Sequence, residues 1–186
     1  MEQEAAARSP ERGTEATLRP FQLADADTMA AWASDPVVMP AASPTSTWWP
    51  YPNPSRNALL AFLLDTALPH PWLRAVCLPD DTVVGAVSVT PTDDRCRAEV
   101  GIALARAHWG GCVAAAALRR AAVAAFGELE GVERVEALVD ADDAAGRGAL
   151  EDAGFRLEAV LRSYRVVEGR LTDTAVYSLI STDPLD

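Results

Sequence analysis

The sequence predicts a single α/β (α+β) domain in which helices flank one mixed, mostly antiparallel sheet. Its 186 residues are enough to form one self-supporting hydrophobic core. Apolar residues make up 49% of the chain, which is typical of a globular protein. Strand-like runs alternate with helical patterns, and short breaks between several of the strands favour antiparallel hairpins. Such an order predicts helices packed on one sheet.

The chain begins with a segment that has no periodic apolar face. Residues 1–16 are charged and rich in Ala, so we expect a disordered tail followed by one domain over residues 17–186. The sequence TLRPF then predicts a short strand that ends at Pro20.

Two helices are expected next, with a proline-rich loop between them. In LADADTMAAWASD the acidic residues occupy the first turn, where the helix dipole favours them. Leu23, Met29 and Trp32 form the apolar stripe of this helix. Residues 37–54 carry five prolines and predict an irregular loop, and SRNALLAFLLDTAL restores the helical period.

The remaining chain supplies most of the sheet. The runs WLRAVCL, TVVGAVSVT and CRAEVGIAL predict three strands, and the breaks PDD and PTDD predict two hairpins. A pair of glycines then opens a long helix that runs to Phe126. VERVEALVD predicts another strand, and DDAAGRGALEDAG predicts a capped helix closed by Gly154. The final hairpin is FRLEAVLRSYRVV, EGR and LTDTAVYSLIS.

Composition excludes several functions. A net charge of −11 disfavours nucleic acid and anionic membranes and weakly favours a cationic substrate. All 16 basic residues are Arg, so lysine-based Schiff-base and P-loop chemistry is absent. Cys77, Cys96 and Cys112 lack metal-site spacing, which predicts neither a metal nor a disulfide framework. Without a leader or a long apolar run, we expect a soluble, cytoplasmic protein.

The sequence WGG before the long helix raises two alternatives. A glycine turn at a helix start aligns unpaired backbone N–H groups with the positive end of the dipole, which favours an anion. The same turn also serves as a tight corner in front of a core helix. The spacing is neither that of a P-loop nor that of a dinucleotide fold, so both alternatives stay open from the residues alone.

Four segments in order resemble one family. TLRPFQLADADTMAAWASDP, VVGAVSV, RAEVGIALARAHWGGCVAAAAL and ERVEALVDADDAAGRGALEDAGF together resemble the GNAT superfamily of acyl-CoA N-acyltransferases. The likeness is greatest to its RimJ/RimL-like branch, including plant-type members, and runs from Thr17 to the C-terminus. It implies the GNAT fold, with a splayed central strand pair, and acetyl-CoA as co-substrate.

The resemblance also assigns residues to the cofactor. Ile102 and Leu104 are implied to offer backbone groups to the pantetheine arm. The pyrophosphate loop is implied to be Trp109, Gly110, Gly111, Cys112, Val113 and Ala114. Three positions depart from the family pattern, because Cys112 replaces a glycine, Asp143 an asparagine and Gly146 a serine. A carboxylate about 4 Å from an anionic cofactor would be repelled by ~1 to 4 kcal/mol, although Asp143 is also a good helix N-cap.

The resemblance implies a sparse catalytic site. Glu99 is the expected general base, acting through water, and its alternative role is a solvent-facing carboxylate paired with Arg. Tyr164 is the expected acid, with Ser163 beside it, or else an aromatic cover of the cleft. Asp173 is interpreted as structural.

A substrate-side loop is implied to contain Trp48, Trp49 and Tyr51, whose alternative role is packing of the core or of a lid. The predicted activity is direct acetyl transfer from acetyl-CoA to an amine, either a protein α-amine or a small polyamine-like molecule. We expect a monomer or homodimer. The alternative is a degenerate, non-catalytic GNAT domain that binds CoA or a protein partner.

Overall fold

A computed structural model of the protein describes residues 16–35, 38, 54–167 and 169–184. The strands are β1 (Thr17–Arg19), β2 (Leu73–Cys77), β3 (Val83–Pro91), β4 (Arg97–Leu104), β5 (Arg134–Asp140), β6 (Arg156–Val167) and β7 (Arg170–Ile180). The α-helices are α1 (Asp25–Ala33), α2 (Arg56–Phe62), α3 (Cys112–Glu128) and α4 (Ala144–Asp152). A π-helical turn, Leu63–Ala67, continues α2, and a 3₁₀ turn, Arg106–His108, follows β4.

The described strands form one sheet in the order β1-β2-β3-β4-β5-β7-β6. Every neighbouring pair is antiparallel except β4 and β5, which run parallel. These two strands pair only from Arg97↔Arg134 to Glu99↔Glu136. Beyond Glu99, β4 continues to Leu104 and β5 to Asp140 without pairing to each other, which opens a wedge in the middle of the sheet. The mixed sheet and the splayed central pair are therefore confirmed.

Helices cover both faces of the sheet, because the strands alternate apolar side chains on each side. Helices α3 and α4 pack on one face around a core that includes Val87, Val135 and Tyr177. Helices α1 and α2 pack on the other face, where Met29 and Leu59 are fully buried. Within the described ranges, no helix is long and apolar enough to cross a bilayer.

The first helix differs from its prediction in one respect. It begins at Asp25, so Leu23 precedes it and is 45% exposed instead of joining the apolar stripe. The reason is the Asp25 carboxylate, which is 5% exposed and accepts two hydrogen bonds of 2.9 Å from Arg19 and one of 2.8 Å from the Gln22 N–H. Charge-assisted hydrogen bonds of this kind are stronger than a dipole contact.

The other element boundaries lie within a few residues of their predictions, and α3 extends to Glu128. Gly154, with φ +95°, closes α4 as expected. The division at residues 16 and 17 stays a prediction, because residues 1–15 lie outside the described part of the chain.

Candidate active site

The wedge between β4 and β5 exposes backbone hydrogen-bonding groups of β4. The Ala105 N–H donates to the Val84 carbonyl at 2.8 Å, and Gly85 lies opposite Leu104. In an antiparallel ladder, this places the N–H and C=O of Leu104, and by alternation those of Ile102, on the side facing away from β3. The Leu104 carbonyl accepts a 2.7 Å bond from the Trp109 indole. The Ile102 amide and carbonyl face the wedge, and the contact of Ile102 and Leu104 with a cofactor stays a prediction.

The turn after β4 leads directly into an uncapped helix. Gly111 is the N-cap residue of α3, and no side chain caps this helix end. The first N–H groups of an α-helix lack intrahelical partners, so this end attracts an anion. Gly110 has φ +66°, a left-handed conformation that favours glycine, and no atom lies within 4 Å of a Cβ built there. The loop is therefore open to a ligand above the helix.

Cys112 is the first residue of α3, not a residue with left-handed backbone. The non-glycine residues with positive φ in the described chain are Asp81 and Ser163. The replacement of the family's glycine by Cys112 therefore needs no strained backbone, and its N–H remains at the helix start. Val113 and Ala114 are buried, so their side chains anchor this turn in the core.

Asp143 and Gly146 are linked through the N-terminus of α4. The Asp143 carboxylate accepts a 2.9 Å bond from the Gly146 N–H, which confirms the predicted N-cap. A Cβ on Gly146 would lie 2.5 Å from the Asp143 Oδ2 and 2.9 Å from a Val139 methyl. A serine at 146 would therefore displace the capping carboxylate. The two departures from the family pattern are sterically coupled.

Glu99 lies on the last paired rung at the base of the wedge. Its cross-strand neighbours are Thr90 on β3 and Glu136 on β5. Glu136 is occupied, because it accepts a 2.7 Å bond from Arg134 and lies 3.6 Å from Arg97. The carboxylate of half-buried Glu99 forms no hydrogen bond or ion pair with any residue in the described ranges. The arginine partner of its alternative role is thus absent from that part of the chain.

His70 is a neighbour of this rung that the sequence did not single out. Its Nδ1 accepts a 3.0 Å bond from the Trp72 N–H, and its Nε2 lies 3.2 Å from the Thr90 hydroxyl. Burial lowers the pKa of His70, which favours the neutral ring at pH 7. The register of β3 and β4 therefore brings a neutral imidazole, a hydroxyl and the Glu99 carboxylate onto adjacent positions.

Tyr164 lies away from this cluster. It is 54% exposed and belongs to a bulge of β6, in which residues 162–164 lie opposite Asp173. The bulge is held by the Asp173 carboxylate, which accepts a 2.7 Å bond from the N–H of Ser163. Asp173 thus has the structural role that was expected of it.

The strand register gives the separation of Tyr164 from Glu99. Glu99 is level with Glu136 and hence with Ser178 of β7, whereas Tyr164 is level with Asp173. Five residues along and three strands across correspond to about 20 Å between the Cα atoms in a flat sheet. The two side chains do not meet at one reacting centre. Trp48, Trp49 and Tyr51 lie outside the described residues, so the substrate-side assignment of these three stays a prediction.

The wedge in the mixed sheet, with a helix N-terminus at its open end, has room for an extended ligand that carries an anionic group. The family model described as an acetyltransferase (GNAT) domain matches residues 15–156. The chain therefore belongs to the GNAT family of acyltransferases.

Relatives and solved structures extend this likeness to nearly the whole chain. The uncharacterized N-acetyltransferase p20 of Bacillus licheniformis is 29% identical over 90% of this chain and 93% of its own. Mycobacterium smegmatis RimJ, solved with CoA-disulfide, aligns with a TM-score of 0.73 and 22% identity over 90% and 84% of the two chains. Spermidine N-acetyltransferase from Vibrio cholerae, solved with CoA and spermine, gives 0.71 and 18% over 90% and 96%. At these identities the two structures show the fold alone.

Proposed function

We propose that this protein is an acetyl-CoA-dependent N-acetyltransferase that transfers the acetyl group directly to an amine. The single observation that carries the proposal is the unpartnered carboxylate of Glu99 at the base of a wedge whose open end adjoins the uncapped N-terminus of α3. Family membership supports the same reaction class. The amine belongs to a small molecule or to a protein N-terminus.

The residues of this chain fit two parts of the cofactor, namely its anionic pyrophosphate and its amide-containing pantetheine arm. The first turn of α3, which no side chain caps, and the open loop at Gly110 suit a pyrophosphate. The outward backbone groups of Ile102 suit an extended amide chain such as pantetheine. Acetyl-CoA, when bound, supplies an activated thioester.

Glu99 is proposed to accept the proton that the amine loses on attack. An ammonium ion has no free electron pair, so a base must deprotonate it before nitrogen attacks the carbonyl carbon. The new N–C bond forms as the C–S bond breaks, the acylated nitrogen loses its second proton, and the thiolate takes up one proton in its place. No enzyme side chain is acylated. His70 and Thr90 flank Glu99 and can pass its proton towards solvent.

Tyr164 is proposed as a cover of the acceptor cleft more than as the acid. Its distance along and across the sheet from Glu99 argues against direct protonation of a thiolate beside Glu99. Its exposed ring suits contact with a bound acceptor. Replacement of Tyr164 by Phe should therefore lower turnover less than threefold.

The relatives support an amine acceptor but leave its identity open. One solved neighbour is named a spermidine N-acetyltransferase and another is RimJ. We propose that the enzyme acts in the cytoplasm as a monomer or homodimer.

One observation favours the non-catalytic alternative. The Asp143 carboxylate lies at the start of α4, where the family pattern has a neutral amide.

Two measurements in sequence test the proposal. Acetyl-CoA at millimolar concentration should raise the melting temperature, and CoA release should then depend on an added amine. Thermal stabilisation without turnover of any amine in a broad panel would favour the non-catalytic domain. Absence of stabilisation would contradict both the enzyme and the cofactor-binding module.

A further inference from the structure

A cleft lies between the second half of α3 and the edge of the sheet formed by β1 and β2. Its volume is about 520 Å³, which is within the range of small-molecule sites in proteins. Strand β1 ends at Arg19, opposite Ala75, so in the described sheet the start of β2 has no strand on its outer side. We call this feature the α3 cleft. Its walls are formed by Trp72 and Arg74 on the sheet side and by Arg119, Arg120 and Val123 on the helix side.

The walls of the α3 cleft carry more positive than negative charge. Three arginines, Arg74, Arg119 and Arg120, line it together with one carboxylate, that of Glu128. The whole chain has 27 acidic and 16 basic residues, so the cleft reverses the charge balance of the protein. A local surplus of guanidinium groups attracts anions that the rest of the surface repels.

The Glu128 carboxylate already has partners on the sheet side of the cleft. Its Oε2 accepts a 2.9 Å bond from the Trp72 indole and a 3.3 Å bond from the Arg74 guanidinium. The same guanidinium lies over the Trp72 ring, with its central carbon 4.8 Å from the ring centroid. These contacts fix the sheet wall of the cleft. Since Glu128 and Arg74 neutralise each other, the surplus positive charge belongs to the helix side.

Arg120 is exposed and supplies charge that the helix does not balance. The residues three and four positions from it along α3 are Ala116, Ala117, Val123 and Ala124, so no acidic neighbour on the helix can pair with it. Among the described residues, it forms no ion pair with another element. It also precedes the end of α3 by two turns, which is too far for an interaction with the helix dipole. Its guanidinium is therefore available to a ligand in the cleft.

The cleft also has an apolar part. Val123 is one helical turn beyond Arg120 on the same side of α3 and is 44% exposed. Leu18 of β1 is partly buried and faces Val123 across the cleft. An apolar group placed between these two side chains removes hydrocarbon surface from water. The cleft thus offers a cationic group and an apolar surface side by side.

We propose that the α3 cleft binds an organic monocarboxylate with an apolar body. The carboxylate lies at Arg120, whose planar guanidinium suits it, and the body lies against Leu18 and Val123. A single negative charge is expected, because the Glu128 carboxylate in the same cleft would repel a dianion such as phosphate.

The α3 cleft is separate from the proposed active site. Strands β3 and β4 lie between β2 and the wedge. Along α3, Arg120 is eight residues beyond Cys112, or about 12 Å from the start of the helix. The inference therefore does not depend on acetyl transfer.

Two pairs of probes test the charge and the body of the ligand. Naphthoate is compared with naphthamide, and octanoate with octanamide, by calorimetry on the full chain. At least one carboxylate should bind with a millimolar or lower Kd, at least about tenfold more tightly than its amide. The preferred pair shows whether the body is aromatic or aliphatic. Failure of both carboxylates to bind, or equal affinity of acid and amide in both pairs, would overturn the inference.

Substitutions in the helix wall locate the binding site. Arg120→Gln should weaken the carboxylate at least about tenfold and leave the amide unchanged. Val123→Ser should weaken the acid and the amide alike, because it removes apolar contact. Arg95→Gln, at an exposed arginine in the turn between β3 and β4, is the matched control and should change nothing. Equal effects of Arg120→Gln and Arg95→Gln would show a response to net charge alone and overturn the inference.

A competition experiment separates the α3 cleft from the helix N-terminus. The carboxylate is titrated into protein saturated with acetyl-CoA, and its Kd should stay within about threefold of the value without acetyl-CoA. Loss of binding would place the carboxylate in the wedge and overturn the inference. If acetyl-CoA itself does not bind, the proposed function fails, whereas the comparison of Arg120→Gln with Arg95→Gln still decides whether the cleft binds a carboxylate.

Discussion

The substitution Glu99→Gln should change the rate of acetyl transfer without destabilising the fold. Glu99→Gln keeps the shape of the side chain but removes its ability to accept a proton. General base catalysis is worth roughly 10²–10⁴-fold in rate, so we expect kcat to fall at least about 100-fold. The affinity for acetyl-CoA should stay within twofold, because the groups that suit the cofactor lie on the wedge and on the α3 turn.

The effect of the same change on stability can be worked out from the register. Glu99 and Glu136 lie side by side on neighbouring strands. Two carboxylates about 6 Å apart repel each other by about 0.7 kcal/mol in water and about 1.4 kcal/mol at half that dielectric constant. Arg134 and Arg97 neutralise much of the Glu136 charge. Glu99→Gln should therefore raise the free energy of unfolding by between zero and about 1 kcal/mol, or Tm by up to about 4 °C.

Glu136, which lies beside Glu99 on the parallel strand β5, supplies the control variant. Glu136 is mostly buried and holds Arg134 at 2.7 Å, so Glu136→Gln should cost about 1–3 kcal/mol of stability. Its kcat per folded molecule should stay within about threefold of the wild type, since its carboxylate is occupied. CoA thiol release and urea unfolding measure the two properties on both variants. The assignment of Glu99 fails if its variant keeps near-wild-type turnover, or if its lost activity follows lost folding.

Three further predictions concern the frame of the site. Gly85→Ala should cost more than about 2 kcal/mol in urea unfolding, because its Cβ would overlap the Ala103 carbonyl on the neighbouring strand; an unchanged midpoint would refute this contact. Asp143→Asn should keep the helix cap and tighten acetyl-CoA several-fold by calorimetry, and no tightening would mean that the carboxylate does not face the cofactor. The Arg134 guanidinium lowers the pKa of Glu158 from 4.5 to about 2. Because the folded-state value is the lower one, its stabilisation is complete above about pH 5 and is lost as the pH falls towards 2. Solvent screening of the 44% exposed side chain limits it to about 1 kcal/mol, and Glu158→Gln should flatten this part of the curve of unfolding free energy against pH.

Local signals predicted most of the fold. Strand alternation, hairpin breaks and helix caps act over a few residues, so the sequence located β2 to β7 and the ends of α4 well. The Asp143 cap and the glycine turn before α3 were predicted for the same reason. Leu23 was misplaced because the buried hydrogen bonds of Asp25 with Arg19 decide where α1 begins.

The site depends on pairing between distant segments, which no local pattern encodes. His70 lies in a loop after α2, and only the pairing of β3 with β4 places it beside Thr90 and Glu99. Family likeness suggested Tyr164, and the register placed it far from Glu99.

We propose that this chain acetylates an amine with Glu99 as the base. Mass spectrometry of an amine panel incubated with acetyl-CoA and equal amounts of folded wild type or Glu99→Gln tests it most directly. At least one amine should gain a single acetyl group with the wild type, and the rate should be at least about 100-fold lower with the variant. An unmodified panel with protein that binds acetyl-CoA, or equal product from both proteins, would contradict it.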